Sequence, residues 1–213
     1  MKQNKIVKRD SKEGSEVYNN RSLEVDYRTL KTLLRKDIRV LDVGCGTGAI
    51  SKDVAALIGN GGTVTGIDKD PNFIENGIAN YGHIKNLELI PTDIFDFNPD
   101  QKFDLIISAR MLQWLSNPKE ALLKMKSLLN PNGVISILDY NHKKIQWNPD
   151  PPQSMVEFYE AFLKWRENAG MNNEIADSLP SLFQEIGLKN IQTLNSDEYY
   201  IRDRKDFKSK VGI

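Results

Sequence analysis

RVLDVGCGTGAIS, running from Arg39 to Ser51, is the stretch on which the fold of this chain turns. Val40, Leu41 and Val43 make a short aliphatic and β-branched run, the pattern of a strand buried on both faces of a parallel sheet. Gly44, Gly46 and Gly48 follow at every second position, and Ala49 to Ile58 then carries apolar residues at helical spacing. Strand, glycine-rich turn and helix together present backbone N–H groups and a helix N-terminus to a ligand. The glycines let the backbone take positive φ and let a ligand approach with no Cβ in the way.

Gly44, Gly46 and Ala49 also satisfy the dinucleotide spacing G-x-G-x-x-G/A, so the loop alone leaves the ligand open. Asp42, two residues before the first glycine, separates the readings. A carboxylate there repels a pyrophosphate across a poorly screened gap. The same carboxylate attracts a ligand that carries a sulfonium and an ammonium, as S-adenosyl-L-methionine (SAM) does. DVGCGTG, Asp42 to Gly48, resembles motif I (D/E-x-G-x-G-x-G) of the class I SAM-dependent methyltransferases. The resemblance implies a Rossmann-like, doubly wound α/β fold: a mainly parallel sheet with helices on both faces. It also implies SAM as cofactor and S-adenosyl-L-homocysteine (SAH) as product.

The 213 residues suffice for one well-buried α/β domain and fall short of two. With 29 basic and 29 acidic residues the formal net charge is zero, so no global field draws in nucleic acid or an acidic membrane, and neither is expected as a partner. Cys45 is the one cysteine and has no mate for an internal disulfide. With no histidine close in sequence it reads as a small residue that fits the loop, not as a nucleophile. MKQNKIVKRDSKEG lacks the apolar core of a secretory signal, and no apolar run approaches a membrane span. The expectation is a cytoplasmic soluble enzyme, with residues 1–14 a mobile polar tail and residues 15–213 a single domain. A basic arm for nucleic acid is the lesser reading of that tail.

Taken in order, Glu16 to Leu34 shows helical spacing through Val17, Leu23, Tyr27, Leu30, Leu33 and Leu34. In the resembled family such a segment often closes over SAM, which makes Tyr18 and Arg21 contacts to its methionine end; a packing tyrosine and a surface arginine are the alternative. TVTGID, Thr63 to Asp68, reads as the second strand. Asp68 at its carboxyl edge is placed to accept from ribose hydroxyls, in the dinucleotide and SAM readings alike. Pro71 starts a helix over Asn72 to Tyr81. LELIPTDIFDF, Leu87 to Phe97, gives the third strand and its loop. Asp93 with Ile94 resembles the family's pair beside adenine, a carboxylate for the exocyclic amine and an apolar residue for the ring. That reading is preferred to a simple turn aspartate. The family's pattern also assigns Cys45, Gly44, Gly46 and Lys69 to the cofactor.

FDLIISARMLQWL, Phe103 to Leu115, supplies the fourth strand and the start of its crossover, with Ser108, Ala109 and Arg110 at the edge where open α/β sheets place ligands. The resemblance brings backbone around Ala109 to the amino acid part of SAM and puts Gln113 and Trp114 at the pocket wall, although a core role for Trp114 is the commoner one. Pro118 to Leu129 reads as an amphipathic helix, closed by the turn Asn130 to Gly133. Gly133 to His142 reads as the fifth strand, ending in Asp139, Tyr140 and His142. Residues 143–172, with Met155, Phe158, Phe162 and Trp165 along one helical stripe, read as a lid inserted over the acceptor pocket. Ile175 to Ile186 is a further helix and Asn190 to Ile201 a sixth strand. The resembled fold closes with a seventh strand, for which RDRKDFKSKVGI is too short, so either the native chain is longer or the sheet edge is covered otherwise.

Methyl transfer needs a general base only when the acceptor enters protonated. His142 and Tyr140 are the weak candidates, with Asp139 more remote, and a surface histidine is an equal reading of His142. No N/D-P-P-Y/F follows strand four, where the slot reads SARM, and no metal motif such as C-x-x-C or H-E-x-x-H occurs. The lead reading is therefore methyl transfer to a small-molecule acceptor at O, N or C. A SAM-binding protein without transferase activity is the alternative, and an NAD(P)-dependent oxidoreductase the more distant one.

Overall fold

The computed structural model describes residues 17–201. The tail at residues 1–14, and the residues after Ile201 that are too short for the expected seventh strand, lie outside the described residues. Five strands, β1 (Arg39–Val43), β2 (Thr63–Asp68), β3 (Leu87–Pro91), β4 (Phe103–Ala109) and β5 (Leu129–Leu138), form one sheet in the order β3-β2-β1-β4-β5. Every pairing is parallel.

Parallel neighbours require crossovers, and the intervening helices supply them. Alternation along β1 shows how both faces are covered: Val40 joins the apolar cluster on one face, and Leu41 and Val43 join the cluster on the other. The first face is covered by helix α2 (Ala49–Ile58) through Ile50, Val54 and Ile58, together with Ile74 of α3 (Pro71–Tyr81). The second is covered by α4 (Pro118–Ser127) through Ala121, Leu122 and Met125, with Ile175 and Leu179 of α6 (Ile175–Glu185). Between them in sequence lies α5 (Gln153–Asn168), whose Phe158 stays 64% exposed.

Three sequence expectations are corrected. Glu16 to Leu34 is not one helix: residues 17–19 are helical, the four-residue helix α1 (Leu23–Asp26) follows, and Arg28–Leu33 is a tight 3₁₀ turn. Tertiary bonds override the periodicity. Ser22 caps α1 by accepting from Val25 N–H, and the Asp26 carboxylate turns back to accept from Ser22 N–H at 2.9 Å. The Tyr27 hydroxyl is drawn across to Ser136 at 2.9 Å. Strand five begins at Leu129, not Gly133, because Phe103 pairs with Leu129 before a register shift brings Leu105 opposite Val134. The Asn130 to Gly133 turn is thus an irregularity within the strand. Asn190 to Ile201 forms no strand; its contacts include Thr29 Oγ1 with Ser196 Oγ at 3.4 Å and Arg28 with Asp197 O at 3.3 Å. Among the described residues no helix is long and apolar enough to cross a membrane.

Candidate active site

The strand order reverses between β1 and β4: from β1 the chain winds to β2 and β3, and from β4 to β5. The loops leaving β1 and β4 therefore diverge, and open α/β sheets bind ligands in the crevice between them. A cavity of about 670 Å³ opens there, within the size range of small-molecule sites. Gly44, Gly46, Asp68, Lys69, Asp93, Ile94 and Ala109 all line it, with Tyr18 and Arg21. Asp42 and Cys45 sit in an adjoining recess that shares Tyr18, Arg21, Gly44 and Ala109. The structure thus brings the sequence-nominated cofactor residues together, in this crevice and the recess beside it.

The glycine turn is shaped by its neighbours. Gly44 has φ +74°, and a Cβ there would come within 2.5 Å of the Met111 side chain, so only glycine fits without displacement. Gly44 N–H and Cys45 N–H both donate to Ile67 O, at 2.8 and 3.0 Å, which ties the turn to the end of β2. Asp68 tightens the same junction: one carboxylate oxygen accepts from Gly46 N–H at 2.9 Å and the other from Asp70 N–H at 3.0 Å.

Asp42 lies 4% exposed beneath α2, and Ser51 Oγ donates to it at 2.7 Å. Burial pushes its carboxyl up to about 7, with the Asp68 charge adding to the effect and the Ser51 bond and Arg21 opposing it. A half-protonated acid in a recess beside a guanidinium is poised to ionise when a cation arrives. Arg21 stacks over the Tyr18 ring at 4.4 Å, and that ring packs 4.7 Å from Phe73. The Cys45 thiol is pushed well above its ordinary value by burial and donates to Gly46 O at 3.6 Å, the behaviour of an inert filler. Asp93 accepts from Phe95 N–H at 3.1 Å, so it is a turn aspartate and a cavity residue at once.

The far wall comes from β4, β5 and α5: Arg110, Gln113, Trp114, Tyr140, His142 and Phe162. Gln113 is its hub. Its side-chain amide donates to Arg110 O at 3.1 Å, which turns Oε1 toward His142 Nε2 at 2.6 Å and fixes the proton on that nitrogen. Its N–H donates to Asp139 at 3.1 Å, and its carbonyl accepts from Arg166 Nη2 at 2.7 Å. Burial lowers His142 to about 4, with the Arg166 charge contributing. His142 is thus a neutral hydrogen-bonding group at neutral pH and a weak proton acceptor. Burial raises Tyr140, while Arg110 opposes the shift. Asp139 is raised to about 7, again by burial. The second histidine, His83, stands in a turn behind α3, away from the crevice.

Arg166 escaped the sequence reading. Its side chain is wholly buried, donates to Asn173 Oδ1 at 2.7 Å and to Gln113 O, and lies over Trp114 at 4.9 Å and Phe162 at 5.5 Å. The one sequence signal was a charge set into an aromatic stripe, four residues after Phe162 and next to Trp165.

A family described as "Methyltransferase domain" matches residues 34–201. Malonyl-[acyl-carrier protein] O-methyltransferase 1 of Ilyobacter polytropus is 30% identical over 109 residues, which are 51% of this chain and 40% of that protein. The chain therefore spans less than half the length of that relative. Demethylmenaquinone methyltransferase of Staphylococcus carnosus is 26% identical over 178 residues, 78% of this chain and 74% of the relative. Among solved structures, an arsenic(III) S-adenosylmethionine methyltransferase from Chlamydomonas reinhardtii superposes with a TM-score of 0.58 and 26% identity, covering 83% of this chain and 60% of its own. A SAM-dependent methyltransferase from Aquifex aeolicus shares the fold, with a TM-score of 0.58 and 22% identity over 78% of this chain and 81% of its own. The glycine turn after β1, the buried acid before it and the family match over most of the chain together show that it belongs to the class I SAM-dependent methyltransferases.

Proposed function

We propose that this chain transfers a methyl group from SAM to a small-molecule acceptor in the crevice between β1 and β4. The observation that carries the proposal is the pairing of a buried acid, Asp42, with a tight glycine turn whose far side is closed by Asp68. The residues fit the cofactor's groups one by one. Asp42 faces an ammonium, Arg21 a carboxylate, Asp68 the ribose hydroxyls, and Asp93 with Ile94 an adenine edge and face. Lys69, Cys45, Gly44, Gly46, Ala109 and Tyr18 shape the walls around them.

SAM supplies an electrophilic methyl group on a positively charged sulfur, so the reagent arrives activated. What the protein adds is alignment and exclusion of water, which turn a bimolecular encounter into an intramolecular one. Trp114, Tyr140 and Phe162 offer aromatic faces to a flat or apolar acceptor and to the cationic sulfur. His142 and Gln113, bonded to each other, add a neutral polar patch to that wall. With Nε2–H given to Gln113 and Nδ1 facing the Tyr159 hydroxyl at 3.3 Å, both ring nitrogens of His142 are engaged, and burial leaves it a weak base, so it shapes the wall and does not deprotonate an acceptor. Among the sequence candidates Tyr140 stays protonated too, so acceptors that need no base are favoured. Residues 143–172 act as a lid in this reading, with α5 presenting Phe162 to the cavity. The proposal sets the enzyme in the cytoplasm, where a lone buried thiol such as Cys45 stays reduced.

Incubation with SAM and a panel of small acids, phenols and amines tests the proposal by SAH accumulation. Turnover with one class supports it. SAH binding with no turnover across the panel points instead to a SAM-binding protein without transferase activity.

A further inference from the structure

Arg110, the first residue after β4, is held at φ +60°, a left-handed conformation that costs a side chain with a Cβ about 1 kcal/mol or more. Its N–H continues the β4–β5 ladder by donating to Leu138 O at 2.7 Å, so the strain is clamped by the sheet. The result aims a buried guanidinium at the cavity wall, 5.3 Å over the Tyr140 ring.

That guanidinium is met by two carboxylates of different kinds. Asp26 takes Nη1 at 3.2 Å and is fixed, because its other oxygen accepts from Ser22 N–H within α1. Glu198 takes Nη2 from the irregular segment 191–201, where Leu194, Tyr199 and Ile201 are 60%, 74% and 61% exposed. Arg28 reaches Asp197 O at 3.3 Å and Thr29 meets Ser196, while the second oxygen of Glu198 accepts from the Tyr200 hydroxyl of the same segment, which in turn meets Tyr140. Nε of Arg110 is buried with no partner among the described residues. The guanidinium fork thus meets one carboxylate held inside a helix and one carried, with its Tyr200 bond, on an irregular segment that can move as a unit.

We propose that Arg110 reads a carboxylate on the acceptor, and that Glu198 occupies the position until the acceptor displaces it. The proposal rests on the crevice being the methyltransferase site and adds the acceptor's chemical class. An acid with an aromatic or acyl body would place that body against Tyr140, Trp114 and Phe162. The exchange is neutral in charge, one carboxylate for another, so it avoids the penalty of stripping a partner from a buried guanidinium. The acceptor still competes with a tethered group at high effective concentration, which lowers its apparent affinity.

The test is calorimetric titration of SAH-saturated protein with 3-phenylpropionate, benzoate and octanoate, each set against its neutral amide. Wild type, Glu198→Gln and Arg110→Met are compared. The expected result is that at least one acid binds E198Q fivefold or more tighter than wild type while its amide is unchanged. R110M should lose the preference for acid over amide. Because R110M leaves Asp26 without its partner and can fail to fold, E198Q carries the decision alone. If no acid gains on E198Q, or acid and amide bind E198Q equally, the proposal is overturned. SAH binding measured in the same experiment separates the two levels. Tight SAH binding with no acid effect removes only the role of Arg110, whereas failure of SAH to bind removes the methyltransferase reading beneath it.

Discussion

In the proposed function Asp42 is the residue on which cofactor choice depends, and its environment makes that reading testable by pH. Burial holds the carboxyl at about 7, so a cationic ligand must drive off a proton below that pH. SAH affinity should therefore weaken as pH falls from 8 to 6, by up to about tenfold per unit. In Asp42→Asn the affinity should drop about tenfold or more at pH 8 and lose most of this pH dependence. Calorimetry at three pH values checks both. His142 gives the opposite case. In the unfolded chain its ring takes a proton below about 6.5, but the folded protein refuses it until about 4. Its contribution to stability is thus complete above 6.5 and is lost as pH falls toward 4, by at most about 3 kcal/mol. An NMR titration should show one histidine ring neutral through pH 5, assigned by its absence in His142→Gln. A midpoint near 6.5 would contradict the buried geometry.

At the scale of elements, α5 is joined to the cavity wall through Arg166, which spans from Asn173 to the Gln113 carbonyl beneath Trp114. Arg166→Leu leaves the Gln113 carbonyl and Asn173 Oδ1 short of a donor and should cost about 2 to 3 kcal/mol in a urea melt. The same change removes a positive charge that opposes protonation of His142, so the histidine midpoint should rise. A loss of stability with an unmoved histidine would mean that Arg166 acts through its hydrogen bonds and packing alone, and that its charge does not reach His142. This tie was not legible in the sequence, because a buried arginine on an aromatic stripe looks like a solvated residue until Asn173 and Gln113 are seen around it. The five parallel strands were legible, since Val40 to Val43 and Leu105 to Ile107 carry their burial in their composition. The broken N-terminal helix and the unformed sixth strand were not. Asp26, Tyr27 and Glu198 are set by partners 84, 109 and 88 residues away, which local periodicity does not register.

For the whole molecule, sheet order and site location are one fact: the reversal between β1 and β4 opens the crevice that holds Asp42, Asp68 and Arg110. The residues proposed for the cofactor could be nominated from the sequence, most of them between 42 and 94, because they lie at strand ends whose spacing is set by the fold. The residues proposed for the acceptor come from positions 110 to 198, across three elements and the irregular segment 191–201, so they could be nominated only in part. The most direct measurement is a calorimetric titration of the purified chain with SAH, and with NADH in parallel. SAH should bind in the micromolar range and NADH should not, since Asp42 favours a cation where a pyrophosphate would need a neutral loop. Binding of NADH in place of SAH would contradict the role given to Asp42 and, with it, the assignment of the crevice.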